Sequence, residues 1–158
     1  MTCTLKWNGR TNLKRAGFIL AVALCLPAIV CGQTGTPRTI TALPFEEGAP
    51  GGSALSTGVV AYVVIPKACT LIGWDIDVDA GTATVTTWKI ATGTAIPTVS
   101  NTISTSGVSI STGTAIRSTT LSDFTTTSFA AGDIVAANIS AVSGVGFINF
   151  ELELTCAQ

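Results

Sequence analysis

Residues 71–89, LIGWDIDVDAGTATVTTWK, set a pattern that the rest of the chain keeps returning to. Trp74, Ile76 and Val78 alternate with Asp75, Asp77 and Asp79, the Ala80-Gly81 pair interrupts the run, and Thr82 to Trp88 resumes it in residues that suit a pleat. Because successive side chains of a strand point to opposite faces, this stretch predicts two strands joined by a tight turn, a hairpin in a sheet that is covered on one side. Residues 59–65 (VVAYVVI) are apolar on both faces, as in a central buried strand, and Pro66-Lys67 ends them. Residues 134–142 and 145–155 predict two further strands around Ser143-Gly144; in the last, Ile148, Phe150, Leu152 and Leu154 share one face while Asn149, Glu151 and Glu153 share the other. Residues 102–111 and 115–121 read as less regular strands, and residues 91–101, broken by Gly93 and Pro97, as a long irregular crossing between strands.

Short strands separated by turns, with no helical periodicity after residue 32, predict an all-β fold: an antiparallel β-sandwich of about seven to nine strands. The long connections favour Greek-key or jelly-roll topology over a meander.

Residues 1–32 follow another pattern. A basic stretch ending in Lys14-Arg15 precedes an almost unbroken apolar run at residues 16–30, and Val30-Cys31-Gly32 then offers a cleavage site before Gln33. A membrane-spanning helix needs about 20 apolar residues and this run has about 15, so the segment predicts a removable secretory signal helix and no stable membrane span after its cleavage. A retained anchor, or lipidation at Cys31, is the lesser alternative. Residues 33–57, rich in Gly and Pro, read as a flexible N-terminal segment with a short edge strand at residues 39–43, leaving residues 58–158 as the sandwich domain. The expected location is secreted, extracellular or cell-surface, with the periplasm as a further case.

Composition narrows the chemistry. Only 11% of residues are charged, and there is no His, which excludes His-based acid/base catalysis, Ser-His-Asp triads and His-ligated zinc. Four of the eight basic residues lie in the signal segment while all nine acidic residues lie beyond Arg38, so the mature chain carries a formal charge of −5. That argues against nucleic acid as a partner, since phosphate contacts depend on Lys and Arg. Cys69 and Cys156 are the two cysteines left after cleavage, and in a secreted protein such a pair predicts a disulfide.

Three side-chain groups are candidates for a site. Asp75, Asp77 and Asp79 at alternate positions place carboxylates on one strand face, where they would hold calcium or assist a metal-dependent reaction; the plainer reading is a solvated face that discourages edge pairing. Thr82, Thr84 and Thr86 form a hydroxyl row with Trp88 on the same face; a partly exposed Trp88 ring would stack on a sugar, while packing at the core or rim, with the threonines as plain strand formers on a polar face, is the plainer reading. Alternation places Trp74 in the core, and Asp133 after Gly132 reads as a turn residue. No cofactor is implied beyond the calcium alternative. There is no G-x-S-x-G elbow, and Glu46, Glu47, Glu151 and Glu153 have no recognisable catalytic partner, so no enzyme activity is expected.

Several short motifs carry a resemblance: G-W-x-I-x-x-D at residues 73–79, V-x-x-W-K at 85–89, I-P-T-V-x-x-x-I at 96–103, A-G-D-I-V at 131–135 and the closing strand at 147–154. Together they resemble small jelly-roll-like β-sandwich modules of phage virion and tail-fibre-like proteins and related bacterial proteins of unassigned role. The resemblance implies a non-enzymatic structural or receptor-contacting module, often oligomeric. A secretory signal departs from it, because virion proteins assembled in the cytoplasm need none. The expected partners are therefore another protein or a second copy of the chain, with a glycan as the alternative.

Overall fold

The computed structural model describes residues 38–111 and 114–157; the expected signal segment lies outside the described residues. Among the described residues nine strands form, in chain order: β1 (Arg38–Gly48), β2 (Gly58–Val64), β3 (Cys69–Val78), β4 (Thr82–Ile90), β5 (Val108–Ser111), β6 (Ala115–Ser118), β7 (Ser128–Phe129), β8 (Ile134–Ser143) and β9 (Phe147–Ala157). They make two antiparallel sheets packed face to face. Sheet A has the order β1-β9-β3-β6, with β7 also pairing β3, and sheet B the order β2-β8-β4-β5. The pairs nest, β1 with β9, β2 with β8, β3 with β6 and β7, and β4 with β5, so the chain is a long antiparallel ribbon rolled up on itself. This is the jelly-roll arrangement.

Rolling the ribbon corrects the expected hairpin. β3 belongs to sheet A and β4 to sheet B, so Ala80-Gly81 is a corner where the chain crosses between sheets. Ser143-Gly144 is the matching corner between β8 and β9. The two corners lie side by side, because β3 pairs β9 in one sheet and β4 pairs β8 in the other. Residues 91–101 likewise do not cross the sandwich. They begin the connection, completed by residues 102–107, from β4 to its own neighbour β5.

The inner faces supply the core. Ile76 and Val78 of β3, Val85 of β4, Val135, Ala137 and Ile139 of β8, and Ile148, Phe150, Leu152 and Leu154 of β9 are buried together with Phe45 of β1, whose ring stacks on Phe150 at 6.2 Å. A bulge in β3 between Leu71 and Gly73 changes the parity of the strand, so Cys69 and Leu71 face the core on one side of it and Ile76 and Val78 on the other. Trp74 packs half-buried against this core, at its rim, where its Nε1–H donates to the Thr120 carbonyl at 3.0 Å.

The segment read as flexible at residues 33–57 contains an eleven-residue strand, β1, paired along its whole length with β9. Pro44 is compatible with it because β1 is an edge strand, where one proline N–H can be spared. Cys69 and Cys156 are direct register partners on β3 and β9, and they form the expected disulfide.

Candidate functional site

The two outer faces of the sandwich differ in chemistry. On sheet A, register sets Asp75 opposite Glu151 on one side and opposite Arg117 on the other, while Asp77 faces Asn149 and Gly73 faces Glu153. Arg117 pairs with Glu153, and Asn149 Nδ2 donates to Asp77 Oδ2 at 3.0 Å. One guanidinium does not neutralise three carboxylates. Asp75 is raised above its ordinary value, first by burial and then by Glu153, with Arg117 acting the other way. Glu151 is raised by burial, by Asp75 and by Glu153.

Asp79 does not join this group. Its carboxylate accepts the backbone N–H of Gly51 at 2.8 Å, of Gly146 at 2.9 Å and of Phe147 at 3.0 Å, so it ties the β1–β2 connection and the β8–β9 corner to the β3–β4 corner. These N–H donors, Gly51 and Phe147 foremost, hold its pKa below the ordinary range. The expected row of three carboxylates is thus two on the sheet face and one occupied with backbone. Among the described residues, no group of three or more His, Cys, Asp or Glu is arranged to hold a metal.

These shifts set a pH dependence. Asp75 and Glu151 bind protons more tightly in the folded state, so their contribution is fully present below the ordinary values of 3.8 and 4.5 and is lost as pH rises through their raised values. Asp79 has the opposite sign: its contribution is present above 3.8 and is lost as pH falls through its lowered value. Urea titrations across pH should therefore show a stability maximum in mild acid. Glu151→Gln should flatten the decline toward neutral pH, and Asp79→Asn should remove part of the decline in stronger acid. Unchanged profiles in both variants would show that these carboxylates do not set the curve.

Among the described residues, the outer face of sheet B carries no charged side chain. Thr82, Thr84 and Thr86 stand beside Ser109 and Ser111 of β5 and Asn138 and Ser140 of β8. Thr84 Oγ1 and Ser109 Oγ lie 2.9 Å apart, Asn138 Nδ2 donates to Thr86 Oγ1 at 3.2 Å, and Ser140 Oγ donates to the Thr84 carbonyl at 3.1 Å. The remaining rows of this face are apolar: Tyr62, Ala136 and Trp88 form one, and Val64, Ile134 and Ile90 the next. Trp88 is only 8% exposed. It stands between Ala136 and Thr102, because the 91–101 connection leaves β4 just beyond it and returns alongside at Thr102. The ring is therefore packed, in keeping with the plainer reading of Trp88, while Thr82 is exposed and Thr84 and Thr86 half-buried.

Charge is spent on structure elsewhere. Lys89 Nζ donates to Asp133 Oδ2 at 2.9 Å and to the Ser128 carbonyl at 3.0 Å, and lies 5.6 Å from the Phe129 ring centre. Asp133 also accepts the Ala130 N–H at 2.9 Å, which fits the turn role expected for it. An apolar cleft of about 170 Å³ opens where β1 meets the end of β2; Leu43, Ile65, Leu154 and the Cys69–Cys156 bridge line it, with Lys67 among its walls.

Two features escaped the sequence reading. The backbone clamp at Asp79 depends on Gly51 and Gly146, which are 28 and 67 residues away. The exposed residues Tyr62 and Val64 lie in a run that is apolar at every position and therefore read as buried on both faces. No protein-family profile, curated protein or solved structure matches this chain. Among the described residues, no helix is long and apolar enough to cross a membrane.

Proposed function

We propose that the chain is a non-catalytic β-sandwich module at a secreted or surface-exposed position, acting by binding or assembly in a structural, adhesive or receptor-contacting role. The observation that carries this reading is the outer face of sheet B, a broad surface that, among the described residues, has no charged side chain and on which hydroxyl and amide groups border exposed apolar residues. Such a face can approach another macromolecule without desolvating ions, and contact surfaces are depleted in charge at their centre. The disulfide fits an oxidising compartment, as does the signal-like residue pattern at 1–32.

Surface retention tests it. Tagged full-length protein should be recovered folded, with the Cys69–Cys156 bridge formed, outside the cytoplasm and on the surface of producing cells or of virions they release. The double substitution Thr84→Lys, Thr86→Lys should release it into the medium, whereas Ala42→Lys on the opposite sheet should not. Retention that is indifferent to the sheet B substitutions would overturn the assignment of this face.

A further inference from the structure

The free edge of sheet B narrows the partner, on the reading that the module acts by binding or assembly. β2 pairs β8 on one side and, among the described residues, is the last strand of its sheet. The Ile65 N–H donates to the Asp133 carbonyl at 2.8 Å, in continuation of that ladder. Residues of an antiparallel strand turn their backbone groups to the same neighbour at alternate positions, so Ala61, Val63 and Ile65 face β8 while Tyr62 and Val64 direct N–H and C=O to the open side. Those two residues also carry exposed apolar side chains, 44% and 58% accessible.

The other edges are blunted and this one is not. β1 contains Pro44, Glu46 and Glu47; β5 and β6 are four residues long, and β7 is two. β2, GVVAYVV, has seven residues without a charge or a proline. Its bulge, between Val59 and Ala61, leaves the paired stretch from Ala61 to Val64 regular. A twofold contact sets a segment against itself, so any charge in it would meet its own sign. β2 has none to meet.

We propose that the β2 edge pairs antiparallel with the β2 edge of a second copy of this chain, joining two four-stranded sheets into one. Centring the pair on Val63 sets Tyr62 opposite Val64 of the second copy. Both positions then exchange the backbone hydrogen bonds that point outward, and each Tyr62 ring lies against the opposing Val64 on the outer face.

Sedimentation equilibrium of the full-length protein, without its signal segment if cleaved, should show a dimer. Val64→Lys places an ammonium at the centre of the contact, and Val64→Pro deletes an outward N–H without touching the β8 ladder. Each should raise the dimer dissociation constant about tenfold or more, with the melting temperature of the monomer preserved, and Ala42→Lys should leave the dimer intact. A wild-type protein that stays monomeric at the highest attainable concentration, or a dimer that survives both Val64 substitutions, overturns the pairing. A monomer still held at surfaces through Thr84 and Thr86 would remove this pairing while leaving the binding role standing.

Discussion

Gly81→Ala is expected to lower the unfolding free energy by about 3 kcal/mol or more. Gly81 has φ of +68°, which an L-residue adopts at a cost of roughly 1–2 kcal/mol, and a Cβ at this position would overlap the Ser143 carbonyl oxygen and approach the Gly144 backbone within 2.7 Å. The obstacle is main chain of the neighbouring corner, so no side chain can swing aside. Gly51 separates the two effects. Its φ is +70°, yet nothing lies within 4 Å of where a Cβ would be, so Gly51→Ala should show the conformational part alone, about 1 kcal/mol. Urea denaturation of both variants measures the difference. Equal losses would mean that the stacking of the β3–β4 corner on the β8–β9 corner is not what requires glycine at position 81.

The strands could be read from the sequence because each buries one face and exposes the other, and period-two alternation survives in any sheet. Which sheet a strand joins could not be read. Ala80-Gly81 can turn a chain back into a hairpin or carry it round a corner, and the choice depends on β9 and β8 arriving from the far end of the chain to pair with β3 and β4. β1 was obscured for a different reason: Pro44 and the glycines around it resemble a linker, but an edge strand tolerates a proline that a central one would not.

The candidate site was legible at the level of faces and much less so at the level of side chains. Alternation placed Asp75 and Asp77 on a polar face, and it placed Trp88 with Thr82, Thr84 and Thr86. Exposure is another matter, since it depends on what lies over a face. Trp88 is covered where the chain returns at Thr102, and Asp79 turns from the sheet to meet N–H groups of loops remote in sequence. The pairing of Asp75 with Glu151 also needed the register of β3 against β9, which the bulge at Leu71/Gly73 shifts by a residue.

Removing the Cys69–Cys156 bridge is expected to cost about 4 kcal/mol, as a drop in the denaturation midpoint of a Cys69→Ala, Cys156→Ala variant or of the wild type under reductant. The two cysteines are 87 residues apart, so the bridge closes a loop containing most of the sandwich and restricts the unfolded chain accordingly. In the folded state they are register partners on adjacent strands, beside the apolar cleft at the β1–β2 seam. Reduction therefore leaves the ladder between β3 and β9 intact, and the larger share of the effect should arise in the unfolded state. Kinetics can divide the two. If the bridge acts mainly on the unfolded chain, and the pairing of β3 with β9 is already made in the folding transition state, its loss should slow refolding more than it speeds unfolding. A variant that unfolds faster with unchanged refolding would instead place the effect late in folding, in the closing of the seam around Leu43, Ile65 and Leu154.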